Sequence, residues 1–322
     1  MNNFFKSSLC EKLNIDYPII QGGMAWVATG ELAGSVSRAG GLGIIGAGNA
    51  PAESVEAEID KAREITDNPV AVNLMLLSPH IEDVIDLVLE KNVPIVTTGA
   101  GNPGKYVEKL KQGSVKIIPV VSSVALAKRL SRLDITAVIA EGNEAGGHVG
   151  QLGTMALVPQ IVDSVDLPVI AAGGIGDARG LLAAFNLGAE AVQMGTRFVC
   201  SQECKADPDY KQAIINARDR DAVLTGRTTG HPVRTLKNKL TREIHKMEKE
   251  GVDPQKIEAE AEGALREAVV EGNVERGSVM AGQIAGMIEE EVPVEDIIIN
   301  IISQAEDLMN SQCESFRRGV NE

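Results

Sequence analysis

Short apolar, β-branched runs alternate along the chain with longer stretches whose apolar residues recur every three or four positions. The runs are PIIQGGM from Pro18, LGIIGAG from Leu42, VAVNLML from Val70, PIVTTGA from Pro94, KIIPVVSS from Lys116, TAVIAEG from Thr136, PVIAAGG from Pro168 and AVQMGTRFV from Ala191. Strands buried on both faces need continuous runs of this kind. The stretches between them, such as PAESVEAEIDKAREI, IEDVIDLVLEKN and ARGLLAAFNLGA, each present one apolar face, as a helix packed on a sheet does. Eight such units predict an α/β fold, a (β/α)8 TIM barrel, in preference to an open doubly wound sheet. Polar or glycine residues also gather where nearly every run ends: Gln21-Gly22-Gly23, Asn73, Thr97-Thr98-Gly99, Ser122-Ser123, Glu141, Gly173-Gly174, and Gln193 with Gly195 and Thr196. A barrel brings all those ends to one mouth, where ligands bind. An open sheet does not.

The alternation stops near Val199. DPDYKQAIINARD then reads as a helix. A basic stretch follows from Arg227 to Arg242, then a charged helical region, the glycine-bearing RGSVMAGQIAGMIEEE, and a last helix from about Pro293. The expected division is a barrel over residues 1–225 and a helical subdomain over 226–322 covering the barrel mouth.

Composition narrows the function classes. Aromatic residues make up 3% of the 322, so the core is aliphatic and the stacking surfaces of nucleic-acid binders are largely missing. The net charge of −14 disfavours general binding to nucleic acid or anionic membrane. Cys200 and Cys204 form a C-x3-C pair without a second pair or a nearby histidine, so reduced thiols and no metal are expected. No apolar stretch approaches about 18 residues, and the N-terminus lacks the apolar core of a signal peptide. The expected compartment is the cytoplasm.

The candidate chemistry sits at the mouth. AAGGIGDARG follows the seventh run and opens a helix, and QMGTRF lies on the eighth. In barrels the loops after strands seven and eight commonly bind phosphate through backbone N–H groups. Ala172, Gly173, Gly174, Gln193, Gly195 and Thr196 are therefore candidate phosphate-site residues. In QGGMA, Gly22 and Gly23 expose backbone, and Met24 offers a thioether suited to a flat ring. Asn73 places an amide inside an apolar strand, where it serves either a ring edge or a neighbouring loop. Glu141 ends the sixth run. Gly146 and Gly147 then precede His148, whose ordinary pKa near 6.5 suits proton transfer. His80, His231 and His245 have no comparable setting.

The segments DYPIIQGGMAWVATGELAGSVSRAGGLGIIG, NLMLLSP, TTGAGNPGKY, IPVVSSVALAKRL, VIAEGNEAGGHVG, VIAAGGIGD, GAEAVQMGTRFV and GSVMAGQIAG resemble the flavin-dependent enoyl-acyl-carrier-protein reductase II family, within the wider nitronate monooxygenase (2-nitropropane dioxygenase-like) group. The resemblance spans nearly the whole chain. EAGGHVG and AAGGI occur in both branches; QGGMAWVA, LLSP, TTGAGNP and GSVMAGQ look closer to the reductases. It implies FMN, with Gly22, Gly23 and Met24 against the isoalloxazine and Asn73 and Glu141 near the ring or ribityl chain. Gly173, Gly174, Gly195 and Thr196 would hold the phosphate, while Gly146, Gly147, Ala172 and Gln193 complete the cofactor wall.

His148 matches the family's active-site histidine, as proton donor or substrate holder. The implied activity is reduction of trans-2-enoyl-acyl-carrier-protein thioesters by NADH or NADPH by way of the flavin, in fatty acid synthesis. The alternative is oxidation of alkyl nitronates with FMN and O2. No G-x-G-x-x-G directly joins the first run to its helix, so no separate Rossmann site is expected and the nicotinamide docks in the same mouth. Monovalent-cation activation and a homodimer are further implications of the resemblance. Acyl carrier protein is acidic, and a −14 enzyme needs a local positive patch to attract it. Arg227, Arg234, Lys237, Lys239 and Arg242 are candidates for that patch, with Ser278 and Met280 as further substrate contacts.

Overall fold

The computed structural model describes residues 5–320, and side chains through residue 313. All eight runs form strands: Ile19–Gln21, Gly43–Gly46, Val70–Met75, Ile95–Gly99, Lys116–Val121, Val138–Glu141, Val169–Ala172 and Ala191–Met194. We number these barrel strands first to eighth. They pair in parallel in the order 1-8-7-6-5-4-3-2, each pairing with its neighbour in sequence except across the seam between first and second. That seam carries a single bridge, Ile20 with Leu42. Beyond it the Gln21 side chain takes over the ladder. Its Oε1 accepts from the Ile44 N–H at 3.1 Å, and its Nε2 donates to the Ile44 carbonyl at 3.2 Å. A side-chain amide can do this because it carries the same donor and acceptor as a peptide. Gln21, expected at the mouth, is a structural clasp with no exposed surface.

Strand alternation sorts the side chains into two cores. One set points outward to the helices. The other fills the barrel with Ile20, Ile44, Ala71, Ile95, Ile118, Ile139 and Ile170, and the helix Ser8–Leu13 plugs the lower end with Leu9, Cys10 and Leu13. Glu190 fixes that plug by accepting from the Ser8 hydroxyl at 2.7 Å and the Leu9 N–H at 3.1 Å.

The chain after the barrel is not helical throughout. Ala222–Thr225 and Val233–Leu236 form an antiparallel hairpin, so the division expected at 225/226 falls inside one supersecondary unit. Val233–Leu236 pairs in turn with the short strand Gly147–His148 in the connection after the sixth barrel strand. Alternation in VRTL was the signal; the basic charge of the same stretch obscured it. The helices Lys239–Lys249, Pro254–Glu260 and Ala264–Glu271 follow. The last helix, Val294–Val320, packs on Ala178–Asn186 and Gly30–Arg38, along the flank of the barrel and not over its mouth.

Candidate active site

The inward positions that carry isoleucine or alanine in the barrel's lower half are followed by different chemistry two residues further on. Ala71 gives way to Asn73, Ile95 to Thr97, Ile139 to Glu141 and Ala191 to Gln193. The period of two makes this the same inward face, now at the C-terminal rim.

The first connection folds down onto that rim. A Cβ on Gly23 would fall 2.3 Å from Asn73 Cβ, and one on Gly46 would fall 2.5 Å from the Met24 carbonyl oxygen. A Cβ on Gly22 would meet the Gln193 amide at 3.5 Å, and one on Gly195 would meet Met24 Sδ at 3.2 Å. Gly22, Gly23, Met24, Asn73, Gln193 and Gly195 thus form one continuous wall. Asn73 Nδ2 donates to Thr97 Oγ1 at 2.9 Å, which leaves its amide oxygen free among the described residues.

Glu141 lies opposite Ala172 in the ladder. No hydrogen bond or ion pair reaches its carboxylate among the described residues. Burial alone pushes its pKa up to about 7, because nothing there compensates a buried charge. The side chain is half-buried at the strand's C-terminal end. Near neutral pH this side chain can hold or release a proton.

His148 lies at the opening and is exposed. The surrounding walls still desolvate its ring, which lowers its pKa, and the nearby His231 lowers it further. Both effects favour the neutral imidazole, which can donate one ring N–H. Its loop is held from three sides. Arg234 Nε donates to the Asn143 carbonyl at 2.9 Å. The carboxylate of Glu144 accepts from the Thr154 N–H at 2.9 and 3.0 Å and lies against the Thr154 hydroxyl at 3.0 Å. Gly146 packs so closely on Ala281 and Gly282 that a Cβ would approach them to 2.7 and 2.8 Å. Glu144 and Thr154 are site residues that sequence reasoning missed. Glu144 lies beyond the sixth run in the glycine-rich loop, where no periodicity marks it.

Gly173 and Gly174, expected to hold phosphate, have φ of +89° and +73°, which suits glycine. Thr196 Oγ1 accepts from the Gly282 N–H at 2.9 Å, so its own hydroxyl proton is still available to an anion. The Ser278–Gln283 stretch therefore reaches both ends of the site. Tyr210 Oη donates to the Met280 carbonyl at 2.8 Å, Leu236 N–H to the Val279 carbonyl at 2.9 Å, and Gln283 N–H to the Glu144 carbonyl at 2.9 Å. Met280 is half-buried, its sulfur 3.5 Å from where a Gly147 Cβ would stand. Ser278 is buried.

The basic patch does not survive as expected. Arg234 is 5% exposed and spends its guanidinium on the Asn143 and Ala222 carbonyls, because it faces inward from a paired strand. Lys237 pairs with Asp221, and Lys239 with Glu275. Arg227 and Arg242 are exposed, with no ion pair among the described residues.

The nitronate monooxygenase family matches the chain over residues 6–86 and 81–304. A probable nitronate monooxygenase from Staphylococcus saprophyticus is 39% identical over 92% of this chain and 97% of its own. That alignment runs to 350 positions, more than the 322 residues here, so the relative carries insertions. The structure of FabK from Thermotoga maritima is 48% identical, covers 96% of this chain and 99% of its own, and superposes with a TM-score of 0.93. Nitroalkane oxidase from Streptomyces ansochromogenes is 25% identical over 95% of this chain and 100% of its own, with a TM-score of 0.84.

Proposed function

The chain belongs to the nitronate monooxygenase family, and within it we propose that this protein is an FMN-dependent enoyl-acyl-carrier-protein reductase using NADH or NADPH. The observation that carries this reading is the Ser278–Gln283 segment. It is one of the four segments that look closer to the reductase branch, and it joins the His148 loop to Thr196. The similarity to FabK, an enoyl-acyl-carrier-protein reductase II, supports it.

The residues at the mouth fit a flavin. Gly22 and Gly23 leave a flat wall where side chains would intrude, and Met24 presents sulfur to it. The free oxygen of Asn73, the Gln193 amide and the Glu141 carboxyl suit the polar edge of a heterocycle. Thr196 and the backbone of Gly173, Gly174 and Gly195 suit a phosphate. Bound there, FMN would supply the two-electron relay between a reduced nicotinamide and the β-carbon of an enoyl thioester. The neutral His148 imidazole would donate its N–H to the thioester carbonyl and orient the substrate. Glu141, titrating near neutrality, would hold a proton at the rim of the mouth.

A second reading, nitronate monooxygenase, is favoured by the names of the curated relatives. Anaerobic mixing with NADH or NADPH separates the two. Rapid bleaching of the flavin, then reoxidation by a crotonyl thioester, is the result expected. No bleaching, with turnover of an alkyl nitronate and O2, would replace the first reading by the second. We also propose a cytoplasmic homodimer activated by a monovalent cation; sedimentation as a monomer, or rates indifferent to K+ and NH4+, would remove those parts. No helix among the described residues is long and apolar enough to cross a membrane.

A further inference from the structure

We propose that Trp26 is the stacking platform for the adenine of the nicotinamide co-substrate, with Arg266 beside it as the cation facing the dinucleotide's phosphates. The inference rests on the reductase reading above, which requires a reduced nicotinamide to enter the mouth.

Trp26 is the single tryptophan of the chain. An aromatic of that size is ordinarily drawn into a core, yet 54% of it is exposed. Among the described side chains the other Phe and Tyr are spent elsewhere: Phe5, Tyr106, Phe198 and Tyr210 are buried, and Tyr17 and Phe185 are half-buried against the core. Among the described residues Trp26 is therefore the exposed aromatic face. Its position is the rim, two residues beyond Met24 in the connection after the first barrel strand. Two residues of chain hold it within about 8 Å of Met24, measured between Cα atoms. The backbone there is left-handed, with φ +66°, unfavourable for a bulky side chain. Two hydrogen bonds hold the turn, with Met24 O accepting from Val27 N–H at 3.2 Å and from Ala28 N–H at 2.9 Å. The fold thus keeps an indole in an unfavourable conformation at the opening of its site, as functional positions do.

The neighbour sets the ligand class. The Arg266 guanidinium lies 5.8 Å from the ring centroid, close enough for a cation–π contact. It reaches there from the helix Ala264–Glu271 and also pairs with Glu271. An aromatic face flanked by a cation suits a base carrying phosphates. An acyl chain gains nothing from the guanidinium. Of the two substrates, the acyl group arrives on a phosphopantetheine arm, which has no purine; the dinucleotide brings one.

The sole tryptophan supplies a direct readout. Titrating the holoenzyme with ADP-ribose, excited at the indole, should quench emission with saturation, and ADP-ribose should compete with NADH or NADPH. Trp26→Ala should raise the apparent KM for the nicotinamide about 10-fold, the order expected for one lost stack, while Trp26→Phe should stay close to wild type. The KM for crotonyl-pantetheine, which lacks adenine, should not move in either. An unchanged nicotinamide KM in Trp26→Ala overturns the proposal. So does a rise confined to crotonyl-pantetheine, which would assign the indole to the acyl chain. If neither nicotinamide reduces the flavin, the reductase reading fails first. The ADP-ribose titration then still decides, because absent quenching denies Trp26 a purine.

Discussion

The two halves of the barrel's interior are built on the same eight strands and differ by one step of two residues. Below, Ile44, Ile95, Ile118, Ile139 and Ile170 pack into a dry layer closed by Leu9 and Leu13. Above, the continuing strands offer Asn73, Thr97, Glu141 and Gln193, and the connections bring glycine. The lower half holds the fold through this layer of buried aliphatic side chains. The upper half gives up that packing for unpaired polar groups such as the Glu141 carboxylate, whose raised pKa records the cost of its burial. A polar mouth of this kind is stable because the layer beneath it is complete.

If this division holds, substitutions in the two halves should act on different observables. His148→Ala has the largest effect on activity. Turnover of crotonyl thioester should fall about 10²- to 10⁴-fold, the range of a lost acid–base or orienting group. The melting temperature should hold, since the side chain is exposed. A rate within a factor of two of wild type would remove His148 from the mechanism. Ile139→Ala is the counterpart two residues below Glu141. The side chain is fully buried, so unfolding in denaturant should cost about 2–5 kcal/mol less. Activity per folded, flavin-loaded molecule should stay close to wild type. A variant that kept its stability but lost its rate would break the comparison.

The lower half was also the legible one. Parallel strands buried on both faces need unbroken apolar runs, and those eight runs stand in the sequence at the positions where the strands lie. The inward-pointing Asn73, Glu141 and Gln193 could be read from the same alternation. What escaped reading depends on partners distant in sequence. Gln21 looks like a mouth residue until Ile44 is beside it. Glu144 acquires its role from Thr154, and Gly146 from Ala281. The helix Ser8–Leu13 spans six residues, too few for a periodic pattern. Val233–Leu236 alternates like a strand, yet its lysine and arginine neighbours invited a reading by charge that Arg234, turned inward, does not support.

Glu141 sharpens the comparison through pH. Its pKa is about 7 in the folded protein against 4.5 for the ordinary group. The folded state therefore binds this proton more tightly than the unfolded chain. Stability from this group is full below about pH 4.5 and falls as pH rises toward 7, by roughly 3 kcal/mol in all. In the flavin-free protein, Glu141→Gln should lose less stability than wild type between pH 5 and pH 8. The two should converge at low pH. Parallel curves would mean that the carboxylate finds a partner when it ionises, and the mouth would be less costly than its geometry implies.

The smallest effect is expected outside both halves, on the basic stretch around Lys237 and Lys239. Lys237 and Lys239 are about half exposed and already paired, with Asp221 and Glu275. Exposed pairs of this kind contribute little to stability, and salt screens them. Reversing both charges should therefore leave folding unchanged. It should also raise the KM for carrier-bound enoyl substrate by no more than about threefold at low salt, a change on the order of 0.7 kcal/mol. Crotonyl-pantetheine should be unaffected. A much larger rise confined to the carrier-bound substrate would mean that these ion pairs open to receive an acidic partner. Docking of the carrier would then run through this face, with the unpaired Arg227 and Arg242 as its continuation. A rise equal for both substrates would instead place the disturbance in the mouth, transmitted through the hairpin that ties Val233 to His148.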